Sequence, residues 1–404
     1  MTAIYICIAI ISYLLIYLKS KDFYHPLAIA SLVWFTCVAI ASFEPLYIQS
    51  IQSNWSIETH AAVLIAGGAF FIPSIFSLRK DKYKRPERGY VVFGSHYRVT
   101  VTFLMFFSIC VFMFRFYSVL FKPPLLFSYG IDAKHMVPDA LVGFNYIELL
   151  TPFLALFCVF ELFFSSSISI KRKVLLYLYI FYYFIVTVFY KSSRGELIPF
   201  LFGVGFIYFS LGKTVSIRFV AYVVLFILGL GVFNSARLVE GSAVTNKFGG
   251  GGVLEILSSV YTYVAYNFEN LNKLTTTSFN PTYYWGGGKF FLKFFFPDYY
   301  SLQGNLIEYE TLFFNARTYI YYFYHDLGLV GVAVHSLLIS SIVQKSYNLS
   351  LSNPRYIILV AGFQKAIVFL FFSNYFYGEF VILFPYLVTL LLILMLKSKR
   401  THNI

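Results

Sequence analysis

The sequence predicts an all-α polytopic integral membrane protein with about eleven transmembrane helices and one long non-cytoplasmic loop. Composition is the first observation behind this prediction: 59% of the 404 residues are hydrophobic, 12% are charged, and the mean hydropathy is +0.73. The second is length, because the apolar stretches approach the ~20 residues that a helix needs to cross the hydrocarbon core. The third is charge, because the basic residues fall in alternate loops.

The eleven apolar stretches divide the chain into one membrane domain, residues 1–404, with an inserted loop at about 234–324 between the eighth and ninth stretches. In order they are 3–18, 27–43, 59–77, 99–119, 143–163, 174–190, 197–212, 217–233, 327–343, 356–373 and 380–396. The first has no basic segment before it and no small-residue cleavage site, which predicts a retained span and not a removed signal peptide.

The positive charge predicts the orientation. Basic residues concentrate in the loops that follow every second span: Lys19, Lys21, Arg79, Lys80, Lys82, Lys84, Arg85, Arg88, Arg98, Lys171, Arg172, Lys173, Lys213, Arg218, Lys345, Arg355, Lys397, Lys399 and Arg400. The positive-inside rule therefore places the C-terminus in the cytoplasm and, for an odd number of spans, the N-terminus outside. The net charge of +13 belongs mostly to these loops, so it does not indicate nucleic-acid binding.

The long outer loop, about 234–324, contains apolar and aromatic segments. Residues 253–268 carry Leu, Ile, Val and Tyr at helical spacing, which predicts an amphipathic helix on the membrane surface or against the bundle. Tyr284 and Trp285 lie beside a phenylalanine-rich run at 290–296. Their rings are candidates for stacking on sugars, and anchoring at the membrane interface is the alternative.

Polar residues within the spans are the next candidates, because ionisable groups in a membrane are costly and often functional or paired. They are Arg115, Glu148, Glu161, Gln364 and Lys365. No His, Asp and Glu cluster with metal-ligand spacing faces the outer side, so we predict neither a metal nor another cofactor. The four cysteines fall inside spans, and we expect them to be buried, to pack as small hydrophobic residues and to form no disulfides.

Three arginines fall on the predicted outer side, where loose arginines are disfavoured. Arg194 lies in the short sequence Lys191-Ser-Ser-Arg-Gly-Glu196, and Arg237 and Arg317 lie near the two ends of the long loop. A guanidinium group presents paired donors that match phosphate oxygens. We therefore predict a pyrophosphate-binding site. For Arg194 and Glu196 a solvated charge pair at a helix mouth is the alternative.

The sequence His325-Asp-Leu-Gly-Leu-Val-Gly331 stands at the entry to the ninth span. Histidine titrates near neutral pH, so His325 is a candidate general base or phosphate ligand. Asp326 is placed to orient His325 or to cap the helix.

These features together resemble the Wzy-type O-antigen polymerases, membrane enzymes that polymerise oligosaccharide repeat units. The resemblance covers the layout of the whole chain: many spans, a long outer loop before a late span, and the short Ser-Arg-Gly-Glu loop. It also includes an Arg-x10-Gly pattern in two outer loops, which Arg194 to Gly205 and Arg317 to Gly328 match here. In related O-antigen ligases a histidine precedes a comparable Gly-x-x-Gly helix start, and His325 occupies that position.

The resemblance implies a GT-C-like bundle in a bacterial inner membrane, with the N-terminus periplasmic. The implied reaction is metal-independent transfer of a sugar from undecaprenyl pyrophosphate on the periplasmic face. Arg194, Arg317 and His325 would be catalytic, while Arg237, Glu196, Asp326, Tyr284 and Trp285 would bind substrate. Preorganised arginines stabilise the charge that grows on a pyrophosphate leaving group. The implied partners are the lipid-linked oligosaccharide, the bilayer, a chain-length regulator and a flippase.

Two alternatives remain open from the sequence. An O-antigen ligase would use the same site and differ only in its acceptor. A lipid-linked oligosaccharide flippase or transporter would also place cations against lipid phosphates, but it would carry them along an internal cavity between repeated halves. The long outer loop favours an enzyme.

Overall fold

The computed structural model describes residues 1–43, 52–77, 91–117, 142–191, 193–212, 253–277, 317–376 and 380–398. Helices dominate them: α1 Thr2–Ser20, α2 Pro26–Phe43, α3 Ile57–Ser77, α4 Ser95–Phe116, α5 Val142–Phe164, α6 Ile170–Ile185, α7 Arg194–Ser210, α8 Val253–Thr276, α9 Tyr321–Ser352, α10 Ile357–Val368 and α11 Phe380–Met395. A π-helical turn, Val186–Tyr190, follows α6, and a 3-10 turn, Pro354–Tyr356, precedes α10.

The protein is an all-α, multi-pass membrane protein. Among the described residues, seven helices are long and apolar enough to cross a bilayer, and α7 and α11 are shorter apolar helices. Ten of the eleven predicted stretches coincide with a helix, and the eighth, 217–233, lies outside the described residues. The chain forms two compact units. That the two units make up one membrane domain stays a prediction.

The outward faces of several helices suit a lipid environment. In α1 the side chains of Ile10 and Leu14 are exposed, and in α4 those of Phe103 and Phe106 are exposed. Large exposed apolar faces of this kind are disfavoured in water and are the normal boundary with a bilayer. The cysteine prediction is half right: Cys37 and Cys158 are buried, but Cys7 and Cys110 lie exposed on the apolar faces of α1 and α4, and all four are free thiols.

The first unit comprises Met1–Asp81, Ser258–Asn348 and Ala366–Leu383. Its centre is Trp34 of α2, which is fully buried and donates its indole N–H to the Val63 carbonyl of α3 at 2.9 Å. The Trp34 ring also lies against Phe268 of α8, at 5.3 Å between ring centroids, and against Tyr319, at 5.1 Å. The Trp34 ring contributes apolar packing, and its N–H hydrogen bond sets the orientation of the ring, so both contribute to the arrangement of these helices.

The helix predicted at 253–268 exists as α8 and is longer, ending at Thr276. The helix packs against other parts of the first unit: its side chains from Val264 to Asn272 are buried, including Asn267, Glu269 and Asn270. A helix lying on a membrane surface would expose its polar side chains.

A seam of buried polar groups joins α8 to the segment 52–56 and to the start of α3. Asn272 accepts from the Ser56 backbone N–H at 2.9 Å and from the Thr59 hydroxyl at 2.8 Å, and it donates to the Ser53 hydroxyl at 3.0 Å. The Thr59 and Thr275 hydroxyl oxygens lie 2.6 Å apart. Because buried polar groups are costly unless they are paired, this seam specifies one docked position of α8.

The second unit comprises Lys82–Leu257, Leu349–Lys365 and Phe384–Ile404. Two short strands, β1 Val91–Val92 and β2 Lys397–Ser398, pair antiparallel in it, with Val91 opposite Ser398. These strands were not predicted from the sequence. The pairing joins the start of α4 to the segment that follows α11.

A group of three charges around the buried Glu161 holds α4, α5 and α6 together in the second unit. Glu161 of α5 is fully buried, and its two carboxylate oxygens accept from Nε and Nη2 of Arg172 at 3.1 and 2.8 Å. Arg98 of α4 approaches the same carboxylate at 3.3 Å. Arg172 also donates to the Thr102 hydroxyl at 2.6 Å. Glu161 is therefore paired, one of the two roles expected for an acid within a span.

Candidate functional site

The structure places the predicted site residues in different parts of the chain. Arg317, His325 and Asp326 lie within one short stretch of the first unit, and Glu196 lies in the second unit, in the first turn of α7. Arg194 is the first residue of α7. The other predicted members lie outside the described residues: Arg237, Tyr284 and Trp285.

The guanidinium group of Arg317 is held by two tyrosines of the following helical turn. Nη1 of Arg317 donates a hydrogen bond to the Tyr322 hydroxyl. The guanidinium carbon lies 5.0 Å from the centre of the Tyr321 ring and 5.2 Å from that of the Tyr322 ring. Contacts of a cation with ring faces are favourable and directional. Arg317 is therefore oriented before any ligand arrives, although its side chain is only half-buried.

His325 and Asp326 follow one turn later in α9 and are buried, with exposed fractions of 7% and 0%. Asp326 follows His325 directly in the chain, and Arg317 precedes His325 by eight residues. A carboxylate beside a histidine stabilises the imidazolium that forms when the ring takes a proton. A buried base with an adjacent acid and a nearby oriented guanidinium is suited to proton transfer next to an anionic group.

The path of α9 is broken directly after this pair. Leu327 has φ −142° and ψ 19°, and Gly328 has φ 60° and ψ −145°. Only glycine adopts the Gly328 conformation without strain. Three residues later, a Cβ on Gly331 would lie 2.2 Å from the Phe323 carbonyl oxygen, so glycine is needed there for a close backbone approach. The Gly-x-x-Gly spacing therefore builds a break in a helix that starts at Tyr321, earlier than the predicted span.

The break is supported by contacts within the first unit. The rings of Phe323 and His335 stack across it, with centroids 4.3 Å apart and planes 8° apart. Tyr319, which precedes α9, is also held in place. Its backbone N–H donates to the Leu370 carbonyl at 2.9 Å, and its hydroxyl lies 2.9 Å from that of Ser336. The segment that carries Arg317 and His325 is thus fixed at both ends.

Glu58 is a site neighbour that sequence reasoning missed. It lies exposed in the first turn of α3, and its Oε2 accepts a hydrogen bond from the Tyr324 hydroxyl at 2.6 Å. Tyr324 precedes His325 in the chain. An acid at a helix start on the predicted outer side was the available signal, but the two residues are 266 positions apart.

A second group of charges lies in the second unit around Glu196. The ammonium of Lys191 lies 3.3 Å from Glu196 Oε1 and 3.8 Å from Glu148 Oε1. Arg115 of α4 pairs with the other oxygen of Glu148. Glu148 is therefore paired with both Arg115 and Lys191. Lys191 belongs to the motif that contains Arg194, but it was not among the predicted site residues.

Lys365 and Glu196 line one small cavity of the second unit. The other lining residues are apolar: Pro152, Phe153, Leu156, Pro199, Phe200, Ala361 and Gly362. We call the five charged residues of this region the α7-mouth cluster: Arg115, Glu148, Lys191, Glu196 and Lys365. Its described members include three basic residues, Arg115, Lys191 and Lys365, and two carboxylates, Glu148 and Glu196.

In the part of the chain that the structure describes, no group of three or more His, Cys, Asp and Glu side chains is placed to hold a metal ion. The chemistry these residues can supply is cationic binding of anions by arginine and lysine, and proton transfer by histidine and carboxylates.

Comparison with family models, with curated proteins and with solved structures finds no match to this chain. Any function therefore has to follow from its own residues and their geometry.

Proposed function

We propose that this chain is a glycosyltransferase that polymerises undecaprenyl-pyrophosphate-linked oligosaccharide repeat units, as Wzy-type O-antigen polymerases do. The observation that carries the proposal is that Arg317, His325 and Asp326 share one short segment directly before the break in α9. An oriented guanidinium and a buried base on one short segment supply the two groups that this transfer needs.

In the proposed reaction an acceptor sugar hydroxyl attacks the anomeric carbon of the donor sugar. A glycosidic C–O bond forms, and the bond between the anomeric carbon and the pyrophosphate oxygen breaks. The acceptor proton passes to His325, whose imidazolium is stabilised by Asp326. Arg317 binds the leaving pyrophosphate, on which negative charge grows, and its tyrosine contacts keep it in place while the charge develops.

The α7-mouth cluster is a group of charged side chains within the second unit. Its basic side chains can bind an anion, and its two carboxylates can accept hydrogen bonds from sugar hydroxyls. Arg194 stands at the start of α7, next to this cluster in sequence. Arg237, Tyr284 and Trp285 complete the proposal as predicted contacts to pyrophosphate and sugar.

The enzyme acts at the periplasmic face of a bacterial inner membrane, in a GT-C-like bundle of eleven spans with a periplasmic N-terminus and a cytoplasmic C-terminus. Its partners are the lipid-linked oligosaccharide, the bilayer, a chain-length regulator and a flippase. Support for this arrangement comes from the multi-pass helices and from the alternation of basic loops.

Two other functions fit parts of the same observations. An O-antigen ligase would use Arg317 and His325 in the same roles with a different acceptor. A flippase or transporter for lipid-linked oligosaccharides is favoured by the break in α9 and by the charges within spans, because discontinuous helices often form transport sites. A transporter needs no proton acceptor beside the cation, which is why we prefer an enzyme.

Reconstitution tests the proposal directly. The purified protein in lipid bilayers is given an undecaprenyl-pyrophosphate-linked repeat unit, with and without a chelator, and the products are separated by mass. We expect glycans of two and more repeats together with free undecaprenyl pyrophosphate, both unaffected by the chelator and lost in His325→Ala. Movement of the intact lipid-linked unit across the bilayer without new glycosidic bonds would identify a transporter instead.

Deletion of the gene in its host distinguishes a polymerase from a ligase. A polymerase deletion leaves a single repeat unit on the final acceptor and removes longer chains. A ligase deletion removes even the single unit, and long chains then accumulate on the lipid carrier.

A further inference from the structure

The stretch Tyr321–Asp326 is a six-residue helical piece that the break at Leu327 and Gly328 separates from the rest of α9. In a continuous helix, the backbone hydrogen bonds of each residue to the turns before and after it fix its side-chain direction. Here that ladder is interrupted immediately after His325 and Asp326. The direction of the His325 ring therefore depends on the side-chain contacts of its own short piece.

One of these contacts comes from a different helix and lies next to His325 in the chain. The Tyr324 hydroxyl donates to the Glu58 carboxylate at 2.6 Å, while the Tyr324 side chain is buried, with 3% exposed. A hydrogen bond to an ionised acceptor is shorter and stronger than one between neutral groups. Rotation of the short piece about its axis would break this bond.

Glu58 can serve as a fixed point because the first turn of α3 is itself anchored. The Thr59 backbone N–H donates to the Ser56 hydroxyl at 3.0 Å. The Thr59 hydroxyl lies 2.6 Å from that of Thr275 and donates to Asn272 at 2.8 Å, both in α8. Residues from the long outer loop thus hold the turn that holds Tyr324.

We propose that Glu58 is a positioning residue for His325. Its carboxylate fixes Tyr324 and, through it, the direction of the His325 ring at the break in α9. The role rests on the proposed function, in which His325 receives the acceptor proton. It is a positioning role because the contact reaches His325 only through Tyr324.

Variants in the reconstituted polymerisation assay separate this role from direct proton transfer by Glu58. We expect Glu58→Ala and Tyr324→Phe each to lower the polymerisation rate about tenfold, in line with loss of one hydrogen bond to a charged group. The double variant should be no slower than either single one, because both remove the same bond. Glu58→Gln keeps an acceptor oxygen for Tyr324 and should stay within about threefold of the unchanged protein.

The matched control is Tyr13→Phe, which removes a tyrosine hydroxyl that donates to the Phe23 carbonyl at 2.8 Å near the turn between α1 and α2. It should leave the rate unchanged. If Glu58→Gln is as slow as Glu58→Ala, the carboxylate charge itself takes part in the reaction and the positioning role is wrong.

A measurement that does not need activity keeps the two proposals distinguishable. Hydrogen exchange by mass spectrometry reports on the backbone of residues 317–328 in each variant. We expect faster exchange there in Glu58→Ala and Tyr324→Phe but not in Glu58→Gln or Tyr13→Phe. Unchanged exchange in Glu58→Ala would overturn the positioning role. If exchange is faster in Glu58→Ala but the unchanged protein makes no polymer, only the proposed function is wrong, and the structural role of Glu58 stands.

Discussion

Arg172 donates two hydrogen bonds to the carboxylate of Glu161, which is fully buried, with nitrogen-to-oxygen distances of 3.1 and 2.8 Å. The pair joins the start of α6 to the end of α5, and Arg98 of α4 adds a second guanidinium to the same carboxylate. Glu161 is the shared carboxylate partner of both arginines, so it offsets the positive charge of each. Its removal would leave guanidinium groups facing each other without a counter-charge.

Glu161→Leu is therefore expected to destabilise the protein by about 3 to 5 kcal/mol, the usual range when one partner of a buried ion pair is removed. Thermal unfolding of the detergent-solubilised protein measures the effect. Adding Arg172→Met to Glu161→Leu should recover part of the loss, since the uncompensated charge disappears. A double variant that is less stable than the single one would contradict this account.

Gly328→Ala tests the break in α9. With φ at 60° and ψ at −145°, an alanine at position 328 is expected to cost about 1 to 3 kcal/mol in backbone strain. The loss of polymerisation should be larger than the loss of stability suggests, because the break directs His325. Gly68→Ala in α3 is the control: no atom lies within 4 Å of the added Cβ, so the variant should be neutral or slightly stabilised. Equal melting temperatures for the two variants would argue against a strained break.

Asn272→Leu tests the polar seam that docks α8. The change removes the acceptor of the Ser56 backbone N–H and one of the partners of the Thr59 hydroxyl, and an unsatisfied donor costs about 1 to 3 kcal/mol. Trypsin cleavage after Lys273 should become faster as α8 undocks. Thr276→Ala, at an exposed position that bonds only its own helix, should be cleaved at the original rate. A cleavage rate unchanged in Asn272→Leu would mean that apolar packing alone holds α8.

Arg317→Ala and Arg317→Lys are both expected to abolish long chains while the protein level is unchanged. Lysine keeps the charge but has no planar fork for bidentate contact with a pyrophosphate and packs less well between the two tyrosines. The gel pattern of the surface polysaccharide is the measurement. Arg355→Lys is the control, because this arginine also lies over a tyrosine ring, at 5.5 Å from Tyr356, but belongs to the predicted cytoplasmic side. Normal chain lengths in Arg317→Lys would show that charge alone suffices.

Labelling of introduced cysteines tests the predicted orientation. In a background without the four native cysteines, Ser53→Cys and Ser166→Cys place thiols at exposed positions outside the helices. A membrane-impermeant maleimide added to spheroplasts should label position 53 and should label position 166 only after lysis. The opposite pattern would reverse the topology and would move Arg317 and His325 to the cytoplasmic face.

Part of the candidate site could be predicted from sequence because its members are close in the chain. Arg317, His325, Asp326 and Gly328 lie within twelve residues, and the structure keeps them on one segment. The missed member, Glu58, is 266 positions from its partner Tyr324, and nothing in either local sequence marks the other. The same holds for Lys191, whose pairs with Glu148 and Glu196 depend on how α5 and α7 pack.

The sequence by itself determined the class of the protein and the location of its helices, because hydropathy and charge add up along a stretch of about 20 residues without reference to the rest of the chain. The tertiary structure decided which polar groups meet. It placed α8 in a buried polar seam and gave Glu161 two arginines. It also turned the Gly-x-x-Gly spacing into a break that carries His325. These pairings were beyond the sequence because burying a polar group is tolerable only where a distant residue supplies its partner, and packing alone selects that residue.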